Sequence, residues 1–103
     1  MTPVYSQTAV EVIKTVKKSD EAIQLDYKVL PGTMVFSMGV NYETLSDRVN
    51  VYVDQCRIGQ PCTPMLPSIN PNLKEDWIVK VEIPNHQKPV FIIHSDGEQQ
   101  IYP

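Results

Sequence analysis

The sequence predicts an all-β protein: one antiparallel β-sandwich of six to seven strands over residues 1–103. Three observations predict it. Apolar and polar residues alternate with period two in several segments, as in half-buried strands. Turn signals recur roughly every eight to twelve residues, the spacing of a sandwich or small barrel. Nine prolines stand against four glycines, which favours stiff, extended connections over long helices.

Composition narrows the partners. With 42% apolar and 20% charged residues, the chain has enough apolar surface to fold, so wholesale disorder is not expected. Its net charge of −3 speaks against nucleic acid or an anionic membrane, both of which need a basic face. No apolar run reaches the length of a membrane-spanning helix, so membrane insertion is not expected. The first residues, Met1-Thr2-Pro3-Val4-Tyr5-Ser6, lack the basic and apolar stretches of a signal peptide.

Residues 9–18 are ambiguous. Val10, Val12 and Val16 fall on one face of a strand, whereas Ala9, Val12, Ile13 and Val16 form a helical stripe. Thr8 and Glu11 could even make a capping box. The many β-branched residues favour strand. A polar turn at 17–21 follows. Ile23, Leu25, Tyr27 and Val29 then alternate with polar residues in a clear strand. Pro31-Gly32 suits a type II turn. Residues 34–40 form another strand, with Gly39 marking a bulge or a close backbone approach. Residues 41–48 form a polar connection, and Val49, Val51 and Val53 a fourth strand.

Residues 57–76 break the pattern. Prolines at 61, 64, 67 and 71 exclude a central strand or a long helix, leaving a twenty-residue excursion. Loops of that length are usually functional or mobile. Regular structure returns at Trp77, expected to be the largest contributor to the core. With it run Val79, Val81 and Ile83. Residues 84–89 are a turn, and 90–94 a strand buried on both faces. Asp96-Gly97 marks a hairpin turn into a short last strand over 99–102.

Assembled, these elements are closest to an immunoglobulin-like sandwich. The Cys…Trp…Cys arrangement of antibody domains is absent, because both cysteines precede Trp77 and lie close together. The alternative is an α+β fold that keeps residues 9–18 helical and packs that helix on an antiparallel sheet. Gly39-Val40-Asn41-Tyr42 followed by a strand resembles a stretch of secreted cystatins, which have that second fold. The Gln-x-Val-x-Gly loop and the Pro-Trp pair that carry cystatin inhibition are not here; Asp76 precedes Trp77. No family is assigned on four residues.

Cys56 and Cys62 are separated by five residues that include Gly59 and Pro61, so the chain can turn back and join them. Such a disulfide would stabilise by ~2 kcal/mol and would place the protein outside the reducing cytosol: secreted, periplasmic or in an ectodomain. A short disulfide loop carrying a proline resembles, in style, the inhibitory loops of periplasmic lysozyme inhibitors and small serine-protease inhibitors.

Catalysis is not expected, and no cofactor is implied. His94, Ser95 and Asp96 are adjacent, and adjacent residues of a strand point to opposite faces, so they cannot form a triad. His86 sits in a turn. The spacings among Cys56, Cys62, His86 and His94 do not match zinc or blue-copper sites, so no metal is expected. Lys14, Lys17 and Lys18 read as a solvated face or an edge-strand guard.

The remaining candidate is the 57–71 stretch. Arg57, Ile58, Gln60, Thr63, Met65 and Leu66, with Ile69, put apolar groups between prolines. If solvated, they mark an interaction site; otherwise Leu66 and Ile69 fold back over an open end of the sandwich. The expected function is a non-catalytic protein-binding or structural module that presents this loop to a protein partner or a second copy. The alternative is an inhibitor of a secreted protease or lysozyme using the same loop.

Overall fold

Strand periodicity wins at residues 9–18. In the computed structural model they form β1 (Val10–Lys17), the first of ten strands among the described residues. The structure describes residues 5–29, 35–57, 59, 61, 63–69 and 78–102. Trp77 and Cys62 therefore lie outside the described residues. The other strands are β2 (Ala22–Val29), β3 (Val35–Phe36), β4 (Gly39–Thr44), β5 (Val49–Val53), β6 (Cys56–Arg57), β7 (Leu66–Pro67), β8 (Val79–Pro84), β9 (Val90–His94) and β10 (Gly97–Tyr102). Among the described residues the one helical element is a 3₁₀ turn at Gln7–Ala9. The helix-bearing alternative is thereby set aside.

The strands form two main sheets and a ribbon. One sheet runs β1–β2–β8, the second β10–β9–β5–β4–β7, and β3 pairs with β6. The result is an all-β, sandwich-like arrangement. Period-two alternation supplies its core. Ile23, Leu25, Tyr27, Val79, Val81 and Ile83 come from the first sheet. Val40, Val49, Val51, Val53, Val90 and Ile92 come from the second. Full burial of such side chains is worth roughly 1.5–3 kcal/mol each before entropy is counted.

Four features differ from the sequence reading. First, the register of β1 shifts between Val12 and Lys14. This bulge at Ile13 changes the phase, so Thr15 pairs across from the core residue Leu25 while Ile13 and Val16 are exposed. The Val10–Val12–Val16 face therefore does not exist. Second, residues 34–40 are not one strand. The chain breaks at Ser37-Met38, and β4 continues to Thr44, each of Asn41 to Thr44 pairing with β5. Third, β5 and β9 are parallel, Val49 opposite Val90 and Val51 opposite Ile92. An immunoglobulin-like sandwich has antiparallel sheets. Here the connection from 54 to 89 passes through the other sheet and returns in the same direction, the crossover that parallel pairing needs. Fourth, the 57–76 excursion contains β7. Pro67 has no N–H to donate, and β7 accordingly occupies a sheet edge.

The flanks of the sandwich are stitched by single bonds. Thr15 Oγ1 donates to Ile101 O at 3.1 Å, and Ile69 N donates to Lys80 O at 2.8 Å. On edge strand β1, Lys14 lies 4.0 Å from Asp26 and Lys17 lies 3.2 Å from Asp20. Lys14 and Lys17 are thus locally compensated. Between β8 and β9, Lys88 N donates to Asn85 O at 2.9 Å. The two central residues of this turn, His86 and Gln87, take φ of 50° and 65°. Left-handed backbone costs a non-glycine residue about 1 kcal/mol or more.

Gly39 is the close approach its residue type suggested. A Cβ there would meet Leu66 O at 2.2 Å, with Pro64 Cγ and Pro67 Cα at 2.9 Å. Two of the three obstacles are backbone and cannot rotate away. We expect Gly39→Ala to push β7 off β4 and lower the unfolding free energy by about 3 kcal/mol. Urea denaturation measures this, and a loss below about 1 kcal/mol would show that β7 is loosely held.

Candidate functional site

The loop that the sequence singles out leaves the sandwich at β6 and returns at β7. Arg57, Gly59, Pro61, Thr63 and Met65 are exposed. Ile58 and Gln60, like Cys62, lie outside the described residues. Leu66 is half-buried and packs against the core, whereas Ile69 is 55% exposed and Met65 58% exposed. The two expectations for this stretch thus divide by residue. Leu66 folds back over the sandwich, and Met65 and Ile69 face water.

The backbone beneath these side chains is fixed. Met65 N donates to Asn41 Oδ1 at 2.9 Å. Ser68 N donates to Met38 O and Ile69 N to Lys80 O, both at 2.8 Å. Between these bonds, Leu66 and Pro67 pair with Val40 and Gly39. Apolar groups are therefore held in water by a backbone anchored to both sheets.

The root of the loop is a buried polar centre. Tyr27 Oη donates to Gly39 O at 2.9 Å, and Ser37 Oγ lies 2.7 Å from Tyr27 Oη and 3.2 Å from Gly39 O. Asp54 N donates to the same carbonyl at 3.2 Å. Cys56 Sγ lies 3.6 Å from Asp54 Oδ2. Burial pushes the Asp54 carboxyl above the usual aspartate range, partly offset by the Gln55 backbone N–H. Burial also raises the phenols of Tyr5 and Tyr27, with the Asp54 charge adding to both. Tyr5 Oη is buried and has no partner among the described residues.

The histidines do not converge. His94 is buried, its Nε2 3.3 Å from Gln99 Oε1. Ser95 N donates to Tyr5 O at 3.0 Å, and Asp96 Oδ1 accepts from Gln7 N at 2.9 Å. The two residues that follow His94 thus tie down the segment before β1. His86 is exposed and pairs with Glu21. Among the described residues no group of three or more His, Cys, Asp or Glu could hold a metal ion. No helix there is long and apolar enough to cross a membrane.

One feature escapes the sequence reading. A cavity of about 300 Å³ is lined by Lys17, Ser19, Asp20, Asn85, Gln87 and Tyr102. Nothing local signals it, because two turns some seventy positions apart and the last strand build it together. Compared with protein-family models, curated proteins and solved structures, the chain matches none.

Asp54 makes stability depend on pH. Its folded-state pKa is raised, so the folded protein holds the proton more tightly than the unfolded chain does. The carboxyl imposes no penalty below the ordinary aspartate value; the penalty grows as pH rises through the raised one. Asp54→Asn keeps an acceptor for the Gln55 N–H and removes the charge. We expect the stability of this variant relative to the parent to rise between pH 3.5 and pH 7. Chemical denaturation across that range checks it, and a falling difference would mean the carboxylate is stabilised in place.

Proposed function

We propose that the protein is a non-catalytic binding module that presents the stretch following β6 to a protein partner or a second copy of itself. The observation that supports this best is the exposure of Met65 and Ile69 above a pinned backbone. Apolar groups in water cost free energy unless something covers them. A backbone already ordered loses little entropy when it is covered. Arg57 and Thr63, exposed on the same stretch, supply polar contacts; Ile58 and Gln60 complete the patch on sequence grounds, and half-buried Leu66 anchors it to the core. A disulfide from Cys56 to Cys62 belongs to this reading, as does a location outside the reducing cytosol. So does the immunoglobulin-like description, which rests on outline alone because β5 and β9 run parallel.

A second reading has its own support. Every described residue from 57 to 63 is exposed, and Gly59 turns the chain at φ 84°. Exposed residues with a left-handed turn at Gly59 suit insertion into the cleft of a secreted protease or lysozyme. Stoichiometric inhibition of one such enzyme, lost on Arg57→Ala, would favour this form of binding over a flat contact.

Two measurements test the proposal. Intact mass after denaturing alkylation of natively purified protein is expected to show neither cysteine modified; two modified thiols would remove the staple and the localisation with it. A photo-crosslinking residue at position 65, introduced in the cells that make the protein, is expected to give one defined adduct. Ile69→Asp should reduce that adduct about fivefold or more, and the same probe at Glu82 should give none. Equal, diffuse labelling from 65 and 82 would overturn the binding surface.

A further inference from the structure

We propose that the cavity between the β1–β2 turn and the β8–β9 turn is a binding site for a small neutral sugar ring. Its volume of about 300 Å³ lies at the lower end of ligand pockets. Its walls carry the groups such a ligand needs. Ser19, Asp20, Asn85 and Gln87 offer hydroxyl, carboxylate and amide partners to ring hydroxyls. Tyr102 brings an aromatic ring, which suits the C–H face of a sugar. Lys17 is 3.2 Å from Asp20, so the charges on the wall compensate each other. That compensation favours a neutral ligand over an anion or a cation.

The site is built on fixed positions. Asn85 is 2% exposed, and its Nδ2 donates to Lys88 O at 3.1 Å. That bond orients the amide. The turn itself is clamped from the other wall. Asn85 N and His86 N both donate to Glu21 O, at 2.9 and 3.1 Å, and the His86 ring pairs with the Glu21 carboxylate. Lys18 N and Ser19 N both donate to Ala22 O. The clamp holds His86 and Gln87 in left-handed backbone that glycine would adopt without strain. Strain kept in place by surrounding bonds is characteristic of ligand sites. Here it places Gln87 on the cavity wall.

Gln87→Gly separates binding from folding. It relieves the left-handed strain and deletes the amide, so the unfolding midpoint is expected to rise while sugar binding falls. The probes are glucose, galactose, mannose and N-acetylglucosamine, titrated into the ¹⁵N-labelled full chain and followed by amide shifts. At least one is expected to move the signals of Lys17–Asp20, Asn85, Gln87 and Tyr102 together. Gln87→Gly and Tyr102→Ala should each weaken that sugar about fivefold. Three results would overturn the proposal: no saturable shift at these residues with any of the four, the same shifts produced by inorganic phosphate, or unaltered affinity in Gln87→Gly.

Discussion

One carbonyl group ties the sandwich together. Gly39 O receives Tyr27 Oη from the first sheet and Asp54 N from beyond β5, with Ser37 Oγ at hydrogen-bond distance. A buried carbonyl is costly unless bonded, and this one draws partners from both layers. The same residue lacks the side chain that would keep β7 away. Glycine is therefore required for space, and its oxygen for cohesion. Met65 and Ile69 flank β7, so the exposed patch depends on a position inside the core.

The polar centre around Gly39 works against hydrophobic stability. Tyr27, Ser37, Asp54 and the Tyr5 hydroxyl, which has no partner among the described residues, occupy space that aliphatic groups could fill. Burial of Asp54 makes its charge a liability at neutral pH. What the centre supplies is direction. Hydrogen bonds fix distance and angle, where apolar contacts tolerate sliding. Cys56 sits at this centre, so the loop begins from a point whose orientation is set. A staple to Cys62 would extend that order outward, whereas a loop leaving an aliphatic core would begin from a less defined point.

Legibility in the sequence followed the range of the interactions. Strands β2, β5 and β8 were readable because each alternates within its own few residues; β9 was readable as an apolar run, but not as the alternating strand it is, with Phe91 and Ile93 half-buried rather than buried on a second face. The bulge in β1 was not, since Ile13 differs from its neighbours only in how β2 pairs beside it. Asn41 to Thr44 read as a connection because their strand character comes from β5. The parallel β5–β9 pair was hidden for the same reason: direction belongs to the whole crossover. In the candidate site, proline and apolar content singled out the stretch from 57 onward. They could not separate Leu66 from Met65, because that depends on the side of β7 that meets β4. The cavity left no local trace.

Local preference is overridden at three places, and each has a different compensation. At Ile13 and Val16, apolar side chains are exposed on an edge strand, and the bulge with its nearby lysines keeps that edge from pairing further. At Pro67, the missing donor does no harm because the sheet ends there. At His86 and Gln87, the compensation is a clamp from Glu21, yet glycine would have needed none. A folded chain has no structural reason to maintain strain together with the clamp that contains it. Sites where a sequence departs from its own local rules are where function is expected. Of the three, the departure at 86–87 is the one whose compensation leaves a side chain facing a cavity.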